Sequence, residues 1–90
     1  MFEAIDMDEK TKNALNKALD ADQAGDWKTA HQIVQEIDSS EASLIHAYLH
    51  RKEGDPGNAR YWYKRAGRDF FTGSFLQEYD ELVDYINSKK

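Results

Sequence analysis

Shifted by 29 residues against itself, the chain's first half falls on its second. Leu15 meets Leu44, Ala18 meets Ala47 and Leu19 meets Tyr48. Gly25-Asp26 meets Gly54-Asp55, Ala30 meets Ala59 and Val34 meets Tyr63. Small residues recur where two segments must approach closely, and glycine recurs at the turns. Such a chain is built from two copies of one supersecondary unit plus whatever follows them.

That unit is helical. No alternating β-branched run supports a strand, whereas helix starts and stops recur. The spacing of Asp6-Met7-Asp8-Glu9 suits a capping box, Ala14, Leu15, Ala18 and Leu19 form an apolar stripe, and this first helix is expected to end near Ala24. Gly25 stops this helix. Asp26 caps a second one, whose inner face is Trp27, Ala30, Val34 and Ile37, with Ile33 beside it. Asp38-Ser39-Ser40 supplies the cap for a third helix, from about Glu41 to Glu53, ended by Gly54. Asp55-Pro56 opens a fourth, because proline suits the first helical position, where its missing N–H would be unpaired anyway. It runs to about Ala66 and stops at Gly67. At least one of Phe70 and Phe71, in the connection that follows, is expected to fold back on the core. Ser74-Phe75-Leu76-Gln77 is a further capping box, and Phe75, Leu76, Tyr79, Leu82, Val83 and Ile86 follow at helical spacing. Lys89 and Lys90 complement the dipole of this last helix. The expected fold is all-α, a single domain of five helices: hairpin 1 over about 8–38, hairpin 2 over about 40–67 and a C-terminal amphipathic helix over about 74–88.

Ala47, Gly54-Asp55, Ala59, Tyr63 and Ala66 resemble the first-helix small residue, the turn and the second helix of a tetratricopeptide (TPR) repeat. Ala18, Gly25-Asp26, Ala30 and Val34 fit the same frame in the first hairpin, where Ile37 replaces the last small residue. The resemblance covers roughly residues 13–67. The period of 29 is shorter than that family's usual ~34, the customary proline after the second helix is missing, and His46 and His50 stand where an apolar residue or Tyr is normal. The stretch 45–68 also resembles a segment of small uncharacterised bacterial proteins, which implies no activity. The TPR frame places Lys12, Leu15, Leu19, Asp22, Glu41, Leu44, Tyr48 and Arg51 on the ligand-facing side. A groove lined by Leu15, Leu19, Leu44 and Tyr48 would be a large exposed apolar patch. The fifth helix is therefore expected to lie across it through Phe75, Tyr79, Leu82 and Ile86, or else a second copy of the chain would.

Charge is distributed unevenly. The chain carries a net charge of −5, yet residues 45–68 hold six of its twelve Lys/Arg against two acids, Glu53 and Asp55. The overall charge argues against nucleic acid as a partner, no stretch approaches a membrane span, and the acidic N-terminus is not a signal peptide. The absence of cysteine fits a cytoplasmic location. Arg51, Arg60, Lys64, Arg65 and Arg68 form a basic side. Arg60, Lys64 and Arg68 share one helix face provided the fourth helix continues past Gly67. This side could take an anion or an acidic partner, or meet Glu78, Asp80, Glu81 and Asp84 of the fifth helix.

Tyr61-Trp62-Tyr63 places three rings about 100° apart on a helix, so they cannot share one buried face. Tyr63 matches the core position, Trp62 flanks it and Tyr61 points outward, a composition typical of contact surfaces. His46 and His50 are four apart and face the same way. With His31, or with Glu53 or Asp55, they have the makings of a zinc site, although packing is the commoner use of such a pair. No phosphate loop, nucleophile elbow or cysteine nucleophile is present, so catalysis is not the expected role and no cofactor is implied. The expectation is a small helical-repeat protein–protein interaction module, an adaptor or self-associating scaffold with a protein or homodimer partner, using His46, His50, Arg51, Tyr61, Trp62, Arg65 and Arg68. The alternative is a metal- or small-anion-binding protein, with or without catalytic activity, centred on His46, His50 and Arg51.

Overall fold

The computed structural model describes residues 8–88. Asp6, in the expected first capping box, and Lys89 and Lys90 lie outside them. Among the described residues there are five helices and no strand: α1 Glu9–Gln23, α2 Trp27–Gln35, α3 Ser40–Lys52, α4 Pro56–Arg65 and α5 Phe75–Asn87. None is long and apolar enough to cross a membrane.

The helix ends follow from named residues. Asp8, Asp26, Ser39, Asp55 and Ser74 each accept a backbone N–H three residues on, and Ser74 with Gln77 completes a reciprocal capping box. Three helices end in the same way. Gly25, Gly54 and Gly67 have φ of 85°, 87° and 73°, the left-handed region that only glycine enters without penalty. The glycine N–H groups bond back to the Asp22, Arg51 and Lys64 carbonyls, and the next N–H groups to those of Ala21, His50 and Tyr63. This is a Schellman closure. At Gly25-Asp26 and Gly54-Asp55 the residue that completes it also caps the next helix, so one dipeptide ends a helix and starts another.

The third closure settles the reach of the basic face. Helix α4 stops at Arg65, so Arg68 does not continue the row of Arg60 and Lys64. Its guanidinium instead lies 4.8 Å from the centre of the Tyr85 ring on α5.

Consecutive helices fold back on each other, α1 with α2 and α3 with α4, and α5 packs on α1 and α3. Helix α3 is the centre and touches all four others. Every residue from Ala42 to His50 is buried in consequence. The core is filled by Leu15, Leu19, Val34, Ile45, Leu49 and Ile86, together with Tyr48 and Tyr63, while Ala18, Ala30, Ala47 and Ala59 are fully buried where helices come close.

Leu82 and Ile86 of α5 are buried and Tyr79 partly so, as expected of a helix laid over α1 and α3. Phe75 and Leu76 depart from the expectation: they are 43% and 66% exposed. The innermost position of the first turns of α5 is Glu78, only 2% exposed. Both Phe70 and Phe71 pack against the core.

Candidate metal centre

Helices α2 and α3 bring all three histidines of the chain together. His31 is on α2; His46 and His50 lie one turn apart on α3. His46 Nε2 and His31 Nε2 are 3.0 Å apart and share a hydrogen bond, in which one ring donates and the other accepts. Ring centres lie 4.7 Å apart for His31–His46, 5.1 Å for His31–His50 and 5.0 Å for His46–His50. One ring nitrogen from each histidine falls within 4.8 Å of the other two.

Two tryptophans bracket the cluster. Trp27 stacks on His31 at 4.8 Å, and Trp62 stacks on His46 at 3.9 Å, each within 10° of parallel. Trp27 is itself fixed, because its Nε1–H donates to the Leu49 carbonyl at 2.7 Å. That carbonyl also receives the Glu53 N–H that caps α3. The Glu53 side chain turns back, and its carboxylate meets His50 Nδ1 at 2.8 Å.

His46 and His50 are buried and His31 partly so. Burial disfavours the charged imidazolium. It pushes His46 down to about 4, with the neighbouring His31 and His50 adding to the effect. Burial first, then His50, lowers His31 as well, against a smaller pull upward from Glu53. At neutral pH both rings are therefore uncharged, the form in which imidazole offers a lone pair to a metal.

The geometry suits such an ion. Zinc binds imidazole nitrogen at ~2.0–2.1 Å with tetrahedral angles, which sets ligand nitrogens about 3.3 Å apart. His31 and His46 already stand close to this spacing, and His50 has at most about 1.5 Å to close. A second group, His50, Glu53 and Asp55, also has its donor atoms within 4.8 Å. There, however, both acids are exposed, and Asp55 is engaged in capping α4 through the Asn58 N–H at 3.2 Å.

The other residues singled out in the sequence fall into separate places. Tyr61 is 52% exposed on α4, and the Arg65 guanidinium lies beside the Tyr61 and Trp62 rings at 6.0 and 5.3 Å. Arg51 belongs to another buried network. Its Nε donates to Glu78 Oε1 at 2.9 Å, and the Tyr63 hydroxyl donates to Oε2 of the same carboxylate. The Arg51 Nη2 is buried without an acceptor, and the Phe71 and Phe75 rings lie 5.3 and 4.5 Å from its Cζ. Thus part of the acidic face of α5 does meet the basic segment, inside the molecule. Arg68, at Tyr85, is apart from both groups.

A parallel network stands one repeat earlier, where Asp22 accepts from the Tyr48 hydroxyl at 2.6 Å and from Lys52 Nζ at 3.0 Å. Sequence reading offered the meeting of Arg51 with Glu78 only as one use of the basic side, and missed the part of Tyr63, the Asp22 network and the two stacked tryptophans. A signal for the two networks existed, since Asp22 and Arg51 are 29 residues apart and occupy the same repeat position. Compared with protein-family models, curated proteins and solved structures, the chain matches none, so the function of this centre has to be read from its own geometry.

Proposed function

We propose that this protein binds a divalent transition-metal ion of the zinc class through His31, His46 and His50. The observation that carries the reading is the convergence of three imidazoles from two helices, with one nitrogen pair 3.0 Å apart and the third nitrogen within 4.8 Å. Imidazole donors favour zinc, copper or nickel over the oxygen-seeking calcium and magnesium. An ion held there joins α2 to α3, and so ties the first helix pair to the second. Titration of the full chain with Zn2+ by calorimetry tests this, with His31→Ala as the control. His31 is the most exposed of the three, so its removal spares the core. One ion per chain, lost in His31→Ala, is expected; no heat above dilution for the wild-type chain would dismiss the reading.

A second reading keeps the interaction role, with the two helix pairs as a short TPR-like array and a protein or a second copy as partner. What favours it is the exposed Tyr61 backed by Arg65 and Trp62 on α4. Helix α5 already lies over the α1 and α3 face, so the contact would use the outside of α4. Light scattering at rising concentration, with Tyr61→Ala and Arg65→Ala variants, tests self-association. A strict monomer throughout would remove the homodimer.

A further inference from the structure

We propose that Glu53 is the positioning residue of the metal centre, holding His50 in the one tautomer that can bind the ion. The inference rests on the metal reading above. It starts from a hydrogen bond and its surroundings. Glu53 Oε2 lies 2.8 Å from His50 Nδ1. A carboxylate can only accept, so Nδ1 carries a proton, and in the neutral ring Nε2 is then the nitrogen with the lone pair. His50 then has a single nitrogen to give a metal, and Nε2 is that atom. A ligand histidine whose other N–H is held by a carboxylate is also more basic and better oriented.

The carboxylate is well placed for this role. Glu53 is the residue that ends α3, and its N–H is bonded to the Leu49 carbonyl. Its backbone is thus fixed by the helix and not by its side chain. The same carbonyl anchors Trp27, whose ring meets His50 edge-on at 5.8 Å. One peptide oxygen therefore registers both the carboxylate and the stacked wall of the cluster. The His50 side chain is 8% exposed and that of Glu53 36%, so the acid reaches the buried ring from the solvent side. Glu53 could instead bind an ion directly, with His50 and Asp55. The cap that Asp55 gives α4 and the exposure of both acids favour the positioning role.

Two measurements test it. The first uses the metal-free wild-type chain. Side-chain 15N correlation of His50 should show Nδ1 protonated and Nε2 bare, and in Glu53→Gln a mixture of tautomers, because the amide can donate as well as accept. The second is Zn2+ titration of the wild type, Glu53→Gln and His31→Ala, with urea denaturation of each metal-free chain alongside. Glu53→Gln should bind about 10- to 100-fold more weakly while its metal-free stability stays that of the wild type. If the wild type binds zinc and Glu53→Gln binds equally well, Glu53 has no such role and the metal reading stands. If binding survives His31→Ala but not Glu53→Gln, Glu53 is a direct ligand and the positioning role is overturned. If wild-type His50 carries its proton on Nε2, the positioning role falls whatever the affinities. If the wild type binds no zinc, the metal reading itself fails, and this inference with it.

Discussion

Acid should loosen this protein through His46. In the folded chain its ring titrates near 4, against an ordinary value of 6.5, because it is buried beside His31 and His50. The unfolded chain therefore binds more protons between those limits, and stability falls as the pH drops from 6.5 towards 4. The contribution is complete above pH 6.5 and exhausted below 4. Linkage gives a loss of about 2 kcal/mol at pH 5 and about 3 kcal/mol at pH 4 relative to neutral pH. His31, shifted the same way, adds to it. Glu78 opposes it: burial raises its carboxyl above the ordinary range, so its share of stability grows as the pH falls through its folded value. Asp8 and Asp26, lowered by the hydrogen bonds they accept from Thr11 and Thr29, act only in stronger acid. Urea denaturation of the metal-free chain at pH 7.5 and 5, for wild type and His46→Gln, isolates the histidine. With an m-value of about 1 kcal/mol/M, the wild-type midpoint should fall about 2 M further than that of the variant. NMR titration of the His46 ring gives the same quantity directly. Parallel pH profiles for the two proteins, or a ring that titrates at 6 or above, would refute the reasoning.

Other perturbations have separable outcomes. Arg51→Met leaves the Glu78 carboxylate, 3% exposed, without its cation and should cost about 3–5 kcal/mol in urea denaturation; Tyr63→Phe removes one donor to the same group and should cost about 1–3 kcal/mol. At Gly54, φ is +87° and an added Cβ would meet nothing within 4 Å, so Gly54→Ala should lose only the backbone penalty, about 1–2 kcal/mol by the same assay. Zn2+ at a hundredfold excess over its Kd should stabilise the wild type by about 2.7 kcal/mol, an upward shift in Tm of roughly 10–20 °C, and should leave His31→Ala unmoved.

Much of the architecture is visible in local chemistry. Each Gly-Asp dipeptide carries its own instructions, since glycine alone takes the positive φ and Asp26 and Asp55 accept a backbone N–H from the first turn of the next helix, three residues on. Turn positions and helix starts were therefore legible to within a residue or two. The phase of α5 was not. Apolarity alone places Phe75 on the inner face and Glu78 outside, but α5 is set so that Glu78, Leu82 and Ile86 point inward. Only the pairing of Glu78 with Arg51 and Tyr63 makes that arrangement affordable, and neither partner is near in sequence. The metal centre divides the same way. His46 and His50 announce themselves by a spacing of four, whereas His31 joins them only through the packing of α2 on α3. The stacked Trp27 and Trp62 come from helices on either side of α3, and no single-segment pattern contains them.

The central claim is that three imidazoles hold one metal ion between α2 and α3. X-ray absorption at the zinc edge, on the full chain loaded with one equivalent and freed of excess by gel filtration, tests it most directly. Zinc should be retained at one per chain, with three imidazole nitrogens at about 2.0–2.1 Å. Zinc lost on the column, or zinc bound by oxygen alone, would contradict it.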